Sequence, residues 1–216
     1  MADRIVCPSV YVKEQLLRFG AEEEKVVVVP YGYTPRERRL STYSKGPQSP
    51  FRLVFVGTVE YRKGIFDVIE VARALGARVE LNIFGEARDK TLADVDIPVN
   101  VTIHGRTPFP VIEQAYLESD AFILPSHLEG SATVVYEALS YGLPCIVTAE
   151  TGSVVRDGVE GIVVKRGNIE SILNAVRKVI DDPILHKKMS DAAVIRSADF
   201  SEAAYGERIC RVFDLI

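Results

Sequence analysis

The feature that most constrains the fold is a recurrence of short, almost wholly apolar runs, LVFVG, VELNIFG, AFILP, PCIVT and GIVV, separated by segments of helical pattern. Apolar runs without polar alternation are strands buried on both faces, and the intervening helices cover those faces because parallel crossovers return over the sheet with one hand. The chain is therefore expected to be α/β, with a doubly wound parallel sheet. Such sheets bind ligands at the carboxyl ends of their strands, so the loops after LVFVG, NIFG, TIHG, FILP and CIVT are where function is sought.

Along the chain, the first residues read as a strand at Arg4–Cys7, a helix at about Val10–Phe19 ended by Gly20, and a strand at Val26–Val29 stopped by Pro30. This is one β-α-β unit, residues 1–34. Residues 35–50 carry Pro, Ser and charge without apolar periodicity and read as a linker, with the main unit expected over 51–216. Within it, helices are expected at Ile65–Leu75, Phe109–Glu118, Thr133–Ser140, Ile169–Ile180 and Ile184–Ser197.

Composition narrows the function classes. At 216 residues, 47% hydrophobic and 26% charged, the chain resembles an ordinary soluble globular protein, and a net charge of −4 gives no broad footprint for nucleic acid. No run approaches the roughly 20 apolar residues of a membrane-spanning helix, and the start, MADRIVCPSVYVKE, lacks a leader pattern, so a cytoplasmic location is expected. Cys7, Cys145 and Cys210 are odd in number and lack a C-x-x-C pair, which supports neither a disulfide framework nor a zinc site. His104, His127 and His186 have no metal-ligand spacing, and no metal is expected.

Two loops carry candidate chemistry. After LVFVG comes GTVEYRKG, with Gly57 at the strand end and Arg62, Lys63 and Gly64 where the next helix begins. Adjacent cations beside a helix start suit a diphosphate, while a solvated charge pair is the competing reading. Neither a Walker P-loop nor a Gly-x-Gly-x-x-Gly fingerprint is present, which weakens ATPase and dehydrogenase readings.

The second loop lies in PSHLEGSATVVYEALSYGLP. With a helix beginning near Ser131, Glu129 in the loop and Glu137 two turns on lie ~10 Å apart, which favours two ligand contacts over an acid/base pair. Glu129 then suits a sugar and Glu137 a ribose, with the helix start between them facing phosphates; the plainer alternatives are a mid-helix surface charge and a dipole-favoured N-terminal charge. His127 shows no partner in the sequence, so a solvated or backbone-bonded imidazole competes with an acid/base role.

Taken in order, these loops resemble the donor-binding domain of GT-B glycosyltransferases, in particular the retaining family four, or group one. ADRIVCPS and EKVVVVPYG look like the last β-α-β unit of that family's N-terminal domain, and FRLVFVGTVEYRKG like the opening of its C-terminal domain. PSHLEGSATVVYEALSYGLPCIV resembles its signature of two glutamates separated by seven residues, followed by Gly-x-Pro.

The resemblance implies transfer of a sugar from a nucleotide-diphosphate sugar with retention, without an obligatory metal or other cofactor. It gives Arg62 and Lys63 the diphosphate and, with Glu129, the catalytic roles; Glu129 and the backbone of Gly130, Ser131, Ala132 and Thr133 the donor sugar and phosphate; Glu137 the ribose; and the backbone of Gly105 and Arg106 the base. Thr58, Ser131, Ala132, Ser153 and Val154 depart from the family's usual residues, which leaves the sugar open.

The resemblance further implies a saccharide or lipid-linked acceptor, a location peripheral to a membrane in the full enzyme, and an N-terminal domain supplied in cis or trans. A sugar-nucleotide epimerase, a sugar phosphorylase or a non-catalytic nucleotide-sugar module would share the fold.

Overall fold

Phe51–Val56 is the strand on which the rest of the molecule is organised, since Leu53, Val54, Phe55 and Val56 are all buried and both of its edges are paired. The structure, a computed structural model, describes residues 2–33 and 49–213. The expected linker at 35–50 therefore lies outside the described residues except for its last two.

The strands are β1 (Ile5–Cys7), β2 (Val26–Val28), β3 (Phe51–Val56), β4 (Val79–Phe84), β5 (Val101–Gly105), β6 (Ala121–Leu124), β7 (Cys145–Thr148) and β8 (Gly161–Val164). β1 and β2 pair in parallel as a separate two-stranded sheet. The other six form one parallel sheet in the order β5-β4-β3-β6-β7-β8. Numbered within that sheet the order is 3-2-1-4-5-6, the arrangement of dinucleotide-binding folds, and the order reverses between β3 and β6. Every residue of β6 and β7 is buried, as expected for strands covered on both faces.

The helices are α1 (Val10–Arg18), α2 (Ile65–Leu75), α3 (Phe109–Glu118), α4 (Thr133–Ser140), α5 (Ile169–Asp181), α6 (Pro183–Ala198) and α7 (Glu202–Val212). α2 buries Ile65, Val68, Ile69, Val71, Ala72 and Leu75 and packs against α5, while α4 packs against α6. Side-chain oxygens of Ser9, Asn168, Asp182 and Ser201 cap α1, α5, α6 and α7 by accepting from backbone N–H groups in their first turns.

One helix was not expected. α7, sequence EAAYGERICRV, returns to the N-terminal unit: Arg208 donates to the Pro30 carbonyl at 3.2 Å, and the rings of Tyr31 and Tyr205 meet edge to face at 6.3 Å. The Tyr33 N–H also donates to the Phe200 carbonyl at 2.8 Å. Cys7 and Cys145 are buried free thiols, and burial raises the pKa of both. Among the described residues no helix is long and apolar enough to cross a membrane.

Candidate nucleotide-sugar site

The order reversal puts the carboxyl ends of β3 and β6 side by side, and both candidate loops leave from there. After β3, Gly57 donates to the Phe84 carbonyl at 2.9 Å, and Tyr61–Lys63 forms a single 3-10 turn closed by Gly64. Gly64 has φ +73, and a Cβ on it would overlap the carbonyl oxygen of Pro125. Only glycine lets the backbone of the first loop lie directly against that of the second. The His127 N–H donates to the Arg62 carbonyl at 2.8 Å, which completes the junction.

That junction delivers Glu129 to the cations. One carboxylate oxygen, Oε2, accepts from Arg62 Nη1 at 2.9 Å and from Lys63 Nζ. Arg62 Nη2 also donates to Glu60 Oε1 at 2.6 Å, an oxygen that accepts from Thr58 as well. The Thr58 hydrogen bond, followed by Arg62, holds the Glu60 carboxyl below its usual range. Burial by itself would lower the Arg62 guanidinium, but Glu129 and Glu60 outweigh it and raise the pKa. Lys63 is buried, with 11% of its side chain exposed, and its charge is answered by Glu129.

The second loop is also tied to the N-terminal unit. The buried Ser9 hydroxyl accepts from the Val12 N–H as the cap of α1 and donates to the Gly130 carbonyl at 2.6 Å. Gly152, φ +63, packs over the same carbonyl, where a Cβ would collide with it.

α4 spans Thr133–Ser140, as its apolar pattern predicts, and so begins two residues after the Ser131 start taken for the spacing of the two glutamates. The difference is physical: the Ser131 hydroxyl pairs with that of Tyr136 at 3.1 Å, and extended Ala132 is the cap residue, with no side-chain oxygen to offer. The first-turn N–H groups of α4 thus have no side-chain cap and suit an anion.

Glu137, in the second turn, sits differently from Glu129. It is half-buried, and its Oε2 accepts from the hydroxyl of Tyr116 at 2.9 Å. Burial raises the Glu137 carboxyl pKa, and the Tyr116 bond offsets this only in part. A mid-helix surface charge, the plainer expectation, is thereby excluded.

The structure thus brings Gly57, Arg62, Lys63, Glu129, Gly130, Ser131, Ala132 and Thr133 to the adjoining ends of β3 and β6 and the start of α4. Gly105 and Arg106 stand apart, at the end of edge strand β5, where Gly105 accepts from the Gly85 N–H at 2.9 Å and Arg106 is exposed.

One expectation is corrected. His127 has a partner: its Nε2 lies 2.6 Å from Asp67 Oδ2 on α2, and its ring meets Tyr61 edge to face at 4.8 Å. The sequence misses the pair because it spans 60 residues. Tyr116, which also sits beside a candidate residue, belongs to no motif in the sequence that would single it out.

Residues 39–196 match the family model described as glycosyl transferases group 1. The chain belongs to that family. Among relatives, D-inositol 3-phosphate glycosyltransferase of Nocardia farcinica is 27% identical over 232 aligned positions, covering 95% of this chain and 51% of the relative. The chain thus spans about half the length of that relative.

Among solved structures, the lipopolysaccharide outer core galactosyltransferase WaaB superposes with a TM-score of 0.84 at 21% identity, over 100% of this chain and 63% of WaaB. Anabaena Alr3699/HepE in complex with UDP-glucose superposes with a TM-score of 0.79 at 16% identity, over 100% of this chain and 65% of HepE. These likenesses establish the fold of the chain, a Rossmann-like half of GT-B architecture.

Proposed function

We propose that this chain is the donor-binding half of a glycosyltransferase that moves a sugar from a nucleotide-diphosphate sugar to a saccharide or lipid-linked acceptor with retention at the anomeric carbon. The carrying observation is the pairing of Arg62 and Lys63 with one oxygen of Glu129 beside the uncapped start of α4. Cations held there by a single carboxylate oxygen can be shared with an incoming diphosphate, while the carboxylate turns to the hydroxyls of the donor sugar.

In this reading the diphosphate lies between Lys63, Arg62 and the N–H groups of Thr133 and its neighbours. As the glycosidic bond breaks, charge grows on the leaving diphosphate, so these groups act most strongly in the transition state. Glu129 holds the donor sugar and Glu137 the ribose, with the backbone at Gly105 and Arg106 beside the base. No metal or cofactor is invoked, since the cations and helix start supply the positive field. The acceptor would be held largely by a further N-terminal domain, in cis or in trans. HepE, of the same fold, is described with UDP-glucose, which makes uridine nucleotides the first ligands to try.

The test is calorimetric titration of the purified chain with a panel of nucleotide-diphosphate sugars. Saturable binding of one or more, competed by the matching nucleoside diphosphate and lost in Lys63→Ala, is expected. Absence of binding across the panel would overturn the reading.

A further inference from the structure

α3 and α4 exchange two tyrosine–carboxylate pairs. Tyr116 of α3 donates to Glu137 of α4 at 2.9 Å, and Tyr141, at the end of α4, donates to Glu113 of α3 at 2.6 Å. The two rings stack on each other, with centroids 5.3 Å apart and planes at 17°. Tyr116 has no exposed surface, and Phe122 lies against it at 6.4 Å. Its ring is therefore fixed, and its hydroxyl points at one place only, the carboxylate of Glu137.

A clamp whose sole purpose was to join α3 to α4 would be served equally by glutamine, which accepts from a phenol without the cost of burying a charge. The residue is glutamate instead, and burial works against its ionised form. Only Oε2 is taken by Tyr116; Oε1 has no hydrogen-bond partner among the described residues. A carboxylate is acceptor-only, so an arrangement that fixes one oxygen and leaves the other open is suited to receive hydroxyl donors.

From this geometry we infer that Tyr116 is the positioning residue for ribose recognition: by holding Oε2 it aims Oε1 at the ribose hydroxyls, and it sets the preference for ribose over deoxyribose without touching the ligand. This rests on the proposed ribose role of Glu137, and the experiment separates the two.

UDP and 2′-deoxy-UDP are titrated calorimetrically against the unmodified chain, Tyr116→Phe and Glu137→Gln, with thermal unfolding of each recorded in parallel. The unmodified chain should prefer UDP by roughly tenfold, the worth of a hydrogen bond to a charged group. Glu137→Gln should remove most of that preference. Tyr116→Phe should remove most of it as well, although Glu137 is retained and the packing volume is almost unchanged.

If Tyr116→Phe lowers the melting temperature but keeps the preference, the hydroxyl is structural only, and the inference fails while the role of Glu137 stands. If Glu137→Gln keeps the preference, the ribose role fails and takes the inference with it. Should Tyr116→Phe not fold, the solvent-shielded Tyr116 hydroxyl proton is followed by NMR in the unmodified chain. UDP should shift it more than 2′-deoxy-UDP does, and equal shifts would overturn the inference.

Discussion

Glu129 and Glu137 belong to the same short stretch of chain but occupy opposite electrostatic situations. Glu129 is in a loop, with Arg62 and Lys63 both bound to one of its oxygens. Glu137 is on a helix, half-buried, and among the described residues it has no cation on it and one phenol as its hydrogen-bond partner. The first is a charge already neutralised by partners that an anion can recruit; the second is an acceptor held at a cost. In the proposed reading the contrast separates a phosphate end from a hydroxyl end on one ligand path, and four variants probe it.

The largest effect is expected at the joint that builds the phosphate end. Gly64→Ala combines a left-handed backbone with overlap on the Pro125 carbonyl, neither of which a flexible side chain can relieve. A loss of at least ~2 kcal/mol is expected, about 5 °C or more in melting temperature for a chain of this size, together with weaker UDP binding. An unchanged melting temperature would mean that the two loops are not locked as described.

Glu129→Gln sharpens the comparison from the same end. Removing its charge frees Lys63 and Arg62 for phosphate, so UDP affinity should hold or rise, while the added affinity of the matching UDP-sugar over UDP falls by roughly tenfold. Both are read by calorimetry. Parallel losses for UDP and UDP-sugar would show that Glu129 serves the loop rather than the sugar.

At the other end the expected effect is smaller and depends on pH. Burial raises the Glu137 carboxyl pKa, so the folded state holds this proton more tightly than the unfolded state does. The stability contributed by the protonated form is full below the ordinary carboxylate range and is lost as pH rises through the folded value. Glu137→Gln should therefore melt above the unmodified chain at pH 7, with the gain vanishing as pH falls below that range. A variant melting lower at pH 7 would show that the ionised carboxylate is not a cost. Tolerating such a cost is expected where function needs a charge.

Much of this was legible in the sequence, for physical reasons. LVFVG, FILP and CIVT announce strands because a centre covered on both faces leaves no polar alternation. Glu129, Glu137, Arg62 and Lys63 stand out because local spacing around strand ends fixes them. α7 was missed because EAAYGERICRV carries Gly206 and several charges, and its partners, Pro30 and Tyr31, lie at the other end of the chain. The pairs His127–Asp67 and Tyr116–Glu137 are products of topology: α2 and α3 bring their members together across 60 and 21 residues, and neither spacing is a pattern.

The central claim, that one ligand path has a phosphate end at Lys63 and a hydroxyl end at Glu137, is tested most directly by titrating UDP and uridine against Lys63→Ala and Glu137→Gln at fixed salt. Lys63→Ala should weaken UDP by roughly ten- to a hundredfold, the loss of a charge-assisted bond of ~1.5–3 kcal/mol, and leave uridine nearly unaffected. Glu137→Gln should weaken both ligands by similar factors. If both variants fold normally and bind UDP as tightly as the unmodified chain, the nucleotide does not lie along this path and the assignment is wrong.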